Sequence, residues 1–122
     1  MFHKDLDVWK NSIELVKSIY IITKTFPKEE LYGLTSQIRR CAVSIPSNIS
    51  EGAARSSSKD YIRFLYIAAG SLAELDTQLI ISKELNYISK EKFDELEVSL
   101  DSIAKMLQGV IRYQRNKSGN GE

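Results

Sequence analysis

An all-α fold, an antiparallel up-down-up-down four-helix bundle, follows from three observations on this sequence of 122 residues. Apolar residues recur at alternating steps of three and four in every segment longer than ten residues. None of those segments alternates with the period of two that a strand needs. Helix breakers are scarce, with six Gly and two Pro in the whole chain.

The first segment, about 5–25, carries Leu6, Trp9, Ile13, Val16 and Tyr20 beside a second stripe of Leu15, Ile19 and Ile22. Phe26-Pro27 ends it, because the residue before a proline is pushed out of the helical region, and Pro27 suits the first position of the next helix. Glu29 and Glu30 then sit at that helix's positive end. The second segment, about 28–54, has the stripe Leu31, Leu34, Ile38, Cys41, Ile45 and Ile49, with Pro46 inside it. An interior proline costs about 3 kcal/mol in an isolated helix and crowds the carbonyl of Ala42. Two readings fit: a kinked but continuous helix, which we adopt, or a break at Ile45 with a restart at Ser47.

The third segment, about 58–85, buries Tyr61, Leu65, Ala68, Leu72, Leu75 and Leu79, flanked by Ile62, Tyr66, Ala69, Ala73 and Ile80. The fourth, about 90–115, repeats Phe93, Leu96, Leu100, Ile103, Leu107 and Val110 in an a/d pattern, with Ser89 as N-cap and an Ile88–Phe93 staple at its start. Short connections at 25–27, 55–57 and 86–89 force neighbours antiparallel. The bundle is thus assigned to residues 1–115 and a disordered tail, NKSGNGE, to 116–122. Two apolar stripes on the first and third helices exceed the sector of roughly 100° that a monomeric bundle helix buries, which predicts a homo-oligomer.

A chain of 13.9 kDa supports one core, and 43% hydrophobic with 27% charged residues is ordinary folded composition. Net charge is +1 and the pI about 7.8, so any basic surface must be local. Residues 35–66 hold Arg39, Arg40, Arg55, Lys59 and Arg63 against Glu51 and Asp60, while 67–95 are acidic by the same margin, +3 against −3. That asymmetry fits a head-to-tail ring and equally fits pairing within one bundle. Lys4, Asp5, Asp7 and Lys10 interrupt any secretory h-region, and no stretch approaches the roughly 20 apolar residues of a membrane span. With one Cys and one His, the expectation is a soluble, unprocessed cytoplasmic chain with no membrane partner.

The same counts bear on chemistry. His3 and Cys41 make neither a metal cluster nor a convincing nucleophile and base, no Gly-rich phosphate loop occurs, and a di-metal carboxylate bundle needs Glu-x-x-His motifs that are absent. Catalytic residues, metal ligands, cofactor and small-molecule substrate are therefore all expected to be none.

What remains is polar patterning. Gln37, Arg40, Ser44, Asn48, Glu51 and Arg55 line one side of the second helix, and Arg63, Gly70, Ser71, Glu74 and Gln78 one side of the third. A hairpin turning near Ser57 brings positions summing to about 114 to one height, pairing Glu51 with Arg63, Arg40 with Glu74, and small Ser44 with small Gly70. A structural network of Arg40, Ser44, Asn48, Glu51, Arg63 and Glu74, a solvated face and a ligand site all fit this arrangement. Arg39, Arg55, Lys59 and Arg63, helped by Arg112, Arg115 and Lys117, are candidates for weak, salt-sensitive nucleic-acid contact, with ordinary solvated charges as the alternative.

The block from Tyr32 to Arg55, the Phe26-Pro27-x-Glu29-Glu30 lead-in, and Phe64-Leu65-x-Ile67-Ala68-x-Gly70-Ser71-Leu72-x-Glu74-Leu75 resemble the four-helix-bundle proteins encoded by intervening sequences in bacterial 23S ribosomal RNA genes. The resemblance covers about residues 5–115. It implies a bacterial protein, a homopentameric ring and no established activity. The accessory variability determinant proteins of diversity-generating retroelements are similar in fold and bind nucleic acid and a reverse transcriptase through a strongly basic surface. This chain departs from that character at a net charge of +1.

Overall fold

The computed structural model describes residues 3–119. Four α-helices run in chain order, α1 Asp7–Thr23, α2 Leu34–Ala53, α3 Ser58–Glu84 and α4 Lys90–Gly119, with 3-10 turns at His3–Asp5 and Lys28–Glu30. No strand occurs among the described residues. Each helix packs on its chain neighbours, and α1 closes the square against α4, while the backbones of diagonal pairs stay apart.

The second helix starts later than the sequence suggests. Lys28–Glu30 form a separate 3-10 turn, and at Gly33 the backbone (φ −117°, ψ −112°) leaves the helical region. Glu30 then serves as the cap from outside the helix. Its Oε1 accepts from the Leu34 N–H at 3.2 Å, and its Oε2 accepts from the Tyr87 hydroxyl at 2.9 Å, tying the start of α2 to the α3–α4 connection. Leu31, expected on the core stripe, is consequently exposed, as is Tyr32.

From Leu34 onward α2 passes through Pro46 without a break. Around the proline, side chains return bonds to the helix backbone: Ser44 Oγ donates to the Cys41 carbonyl (2.7 Å), Asn48 Nδ2 to that of Ser44 (2.8 Å) and Ser50 Oγ to that of Ser47 (2.9 Å). α3 opens on Ser57, whose Oγ accepts from the Asp60 N–H. It closes in a Schellman motif: Asn86 takes the left-handed conformation (φ 64°), with Tyr87 N–H bonded to Ser82 O and Asn86 N–H to Lys83 O. Ser89 caps α4 as expected, accepting from the Lys92 N–H at 3.2 Å.

The core is a column of fully buried aliphatic residues from all four helices, including Ile19, Ile38, Ile45, Leu65, Leu75, Leu79 and Leu107. On α4 the buried line runs Phe93, Leu96, Leu100, Ile103, Leu107 and then Ile111 and Gln114, with Val110 only half-buried. α4 also continues to Gly119, so 116–119 of the expected tail are helical and 120–122 lie outside the described residues. α3 is long and apolar enough, by length and composition, to cross a membrane, contrary to the sequence expectation, with a mean hydropathy of 1.3 over its most apolar window. In this fold its Leu65, Ala68, Leu72, Leu75 and Leu79 form the centre of the core.

Candidate nucleic-acid interface

The proposed cross-helix network does not form. Arg40 donates to Ser36 Oγ on its own helix (3.3 Å), and Glu74 accepts from Gln78 on its own. Glu51 pairs with Arg55 at 3.0 Å, and Arg63 with Asp60 at 3.6 Å. Neither Arg40–Glu74 nor Glu51–Arg63 is an ion pair. Ser44 and Asn48 spend their hydrogen bonds on the α2 backbone.

The heights were right and the azimuth was not. Cys41, one residue past Arg40, faces α3 at this level: its thiol donates to the Ser71 carbonyl at 3.0 Å. Burial, with the nearby Glu74 carboxylate next, pushes that thiol up to about 11, which keeps it protonated and inert at neutral pH. Gly70 is likewise not the point of close approach, since a Cβ there would meet nothing within 4 Å. That point is Gly52, where a Cβ would stand 2.9 Å from Tyr61 Cδ1, 3.0 Å from Phe64 Cβ and 3.2 Å from the Tyr61 carbonyl oxygen.

Of the four candidate nucleic-acid contacts, three gather at one end of the bundle. The Arg55 and Arg63 guanidinium carbons both lie over the Phe64 ring, 4.6 and 4.5 Å from its centroid, and Lys59 stands exposed between them in sequence. Arg39 is elsewhere. Sixteen residues from Arg55, or about 24 Å along a helix, it donates to Thr23 Oγ1 (2.9 Å) and lies over the Tyr20 ring (4.7 Å). Arg39 is therefore a latch between α2 and the end of α1.

The final turns of α4 reach the same end as Arg55. Arg112, Arg115 and Lys117 are exposed there, and Arg115 both donates to the Tyr66 hydroxyl and lies over its ring. Segments 55–63 and 112–117 together present six basic side chains against the single acid Asp60. The nearby Glu51–Arg55 pair is half-exposed, and such pairs hold weakly enough to yield to a phosphate.

Between these segments and the start of α1 lies a cavity of about 830 Å³. Leu6, Val8, Tyr61, Met106, Val110 and Tyr113 form its apolar side; Arg55, Ser56–Ser58, Gln114, Lys117 and Asp7 supply the polar groups. The sequence reading missed Gln114 and Tyr113. Gln114 continues the buried line of α4 three residues after Ile111, so a polar residue at the next core position was the available signal.

The family model described as 23S rRNA-intervening sequence protein matches residues 4–109. A crystal structure described as a protein with unknown function from the S23 ribosomal protein family, from Bacteroides thetaiotaomicron VPI-5482, is similar at a TM-score of 0.80 and 27% identity, covering 86% of this chain and 95% of that one. No curated protein matches the chain.

Proposed function

The chain belongs to the 23S rRNA-intervening sequence protein family, and from that membership we propose that it is a non-catalytic protein that works as a homo-oligomer, a pentameric ring in cytoplasm. The supporting observation is the outward face of α3. Tyr66, Ile67, Ile80 and Ile81 are each between 41 and 46% exposed, with small Gly70 and Ala73 between them, so an apolar stripe runs over four turns, interrupted by the exposed Glu74 on the row that joins Ile67 to Ile81. A stripe of this kind suits close helix packing against another copy. Sedimentation equilibrium tests the reading: five copies of a 13.9 kDa chain give about 70 kDa, and Ile80→Glu is expected to release protomers. A stable monomer at micromolar concentration would overturn it, and a dimer would keep the apolar face while rejecting the ring.

A second reading is favoured by the basic end. Six cations on two adjoining segments form a surface that suits the backbone of an RNA, with weak single contacts multiplied around an assembly. Titration of structured ribosomal RNA fragments at low and near-physiological salt tests it. Affinity is expected to fall steeply with salt and with Arg55→Glu/Lys59→Glu, and absence of binding at low salt would end this reading.

A further inference from the structure

Surface cations explain attraction for phosphates but leave the cavity beside them unused. Its most telling group is Gln114, a carboxamide only 8% exposed. The Ser58 hydroxyl donates to Gln114 Oε1 at 2.9 Å, which fixes the orientation of the amide. The Nε2 hydrogens, in contrast, have no partner among the described residues, although Gln114 lines the cavity. The amide nitrogen is thus reachable from the cavity and free to donate to an acceptor that enters it. The cavity supplies flat aromatic wall from Tyr61 and Tyr113, flexible apolar surface from Met106, and two cations at its rim, Arg55 and Lys117. Its volume of about 830 Å³ falls among those of small-molecule sites.

We propose that this cavity receives one unpaired base of a single-stranded RNA, with the flanking phosphates held by Arg55 and Lys117, an inference that rests on the second reading above. Each part of a nucleotide meets its chemical complement. The π-face lies along tyrosine, a ring nitrogen or carbonyl oxygen accepts from Gln114 Nε2, and the phosphate charge is met by the rim cations. The base must be unpaired, because pairing would occupy the edge that Gln114 addresses. A double helix satisfies the basic surface and leaves the cavity empty. Asp7, the one carboxylate in the lining among the described residues, repels a phosphate and so disfavours entry by the backbone rather than the base.

The experiment compares, by fluorescence anisotropy at low salt, a labelled single-stranded RNA of about twelve nucleotides with an oligomer of equal charge that lacks bases. The full chain is expected to bind the RNA on the order of tenfold more tightly than the abasic oligomer, the scale of one stacked base. Tyr113 is 65% exposed and so replaceable without harm to the fold. Tyr113→Ala is expected to lower RNA affinity to the abasic level and to leave abasic affinity unchanged, while Tyr113→Phe retains the preference. Equal binding of the two oligomers overturns the cavity proposal and leaves the electrostatic reading standing. So does a base preference that Tyr113→Ala does not move, since the base is then read elsewhere. No binding of either oligomer removes both.

Discussion

Asp76 on α3 and Glu97 on α4 each turn a buried carboxylate oxygen, Oδ1 and Oε1, into a place where no protein donor reaches them. The two carboxyls bond to one another instead, which requires a proton between them. That hydrogen bond with Asp76 is the main reason the Glu97 carboxyl is pushed up to about 7; burial and the charges of Asp76 and Asp101 add to it, and Lys83 opposes it. Unfolded, Glu97 would release its proton near 4.5. The native state therefore holds a proton that the unfolded state has lost, and the stabilisation is complete below about 4.5 and disappears as pH rises through about 7. Urea unfolding at pH 5 and pH 8 should show the wild type weaker at the higher pH. Glu97→Gln supplies a permanent N–H donor to Asp76, so the difference should shrink; an unchanged difference would mean that another group carries it.

Two glycines predict opposite signs for the same substitution. Gly109 on α4 has open space where a Cβ would stand, so Gly109→Ala should stabilise by about 0.5–1 kcal/mol through backbone entropy. At Gly52 the new Cβ meets the Tyr61 ring, Phe64 Cβ and the Tyr61 carbonyl within 3.2 Å, and a backbone atom cannot swing aside. Gly52→Ala should therefore destabilise by about 1–3 kcal/mol as α2 and α3 are forced apart. Thermal unfolding of the two variants decides the matter, and equal shifts would contradict the packing described at Gly52.

Cys41 should react slowly. With its thiol raised to about 11 and its Sγ–H held by the Ser71 carbonyl, alkylation by iodoacetamide at pH 8 is expected to run many times faster in urea than in the folded protein. Equal rates would place the thiol outside the α2–α3 interface.

Arg39 and Arg55 separate stability from RNA affinity. Arg39→Ala loses the bond to Thr23 and the contact with Tyr20, which should lower stability by about 1 kcal/mol and leave RNA binding unchanged. Arg55→Glu should do the reverse. Parallel denaturation and RNA titration of both variants would expose an error in either assignment.

How far the sequence carried these conclusions depends on which direction around a helix was being judged. Period, with the proline and cap signals, located all four helices, and hairpin arithmetic set Arg40 level with Glu74, the height at which Cys41 in fact meets Ser71. It could not choose between Arg40 and Cys41, because adjacent residues differ by about 100° in azimuth. That angle separates a predicted ion pair from an exposed arginine. Applied to the other hairpin, the same rule would have found Asp76 and Glu97, each ten residues from the Asn86–Tyr87 turn; like charges gave no reason to look. The start of α2 was misplaced because Glu30 caps the helix from four residues upstream of Leu34, while an acid just after Pro27 reads as part of the helix's own first turn. Gln114 was overlooked because a carboxamide counts as surface in any apolar tally, and only its place after Ile111 betrays burial.

The packing order of the helices has a kinetic consequence. Every contact between two α-helices but one joins chain neighbours, and the exception is the sparse α1–α4 seam. Local topology of this sort forms quickly, with α2 and α3 free to pair before the ends of the chain meet. The cavity draws its lining from the beginning of α1 and the end of α4 as well as from the α2–α3 hairpin, so it comes into being only when that last seam closes. We expect amide hydrogens in α1 and the final turns of α4 to exchange ahead of those in α2 and α3. An occupant of the cavity would slow that exchange by holding the two termini together.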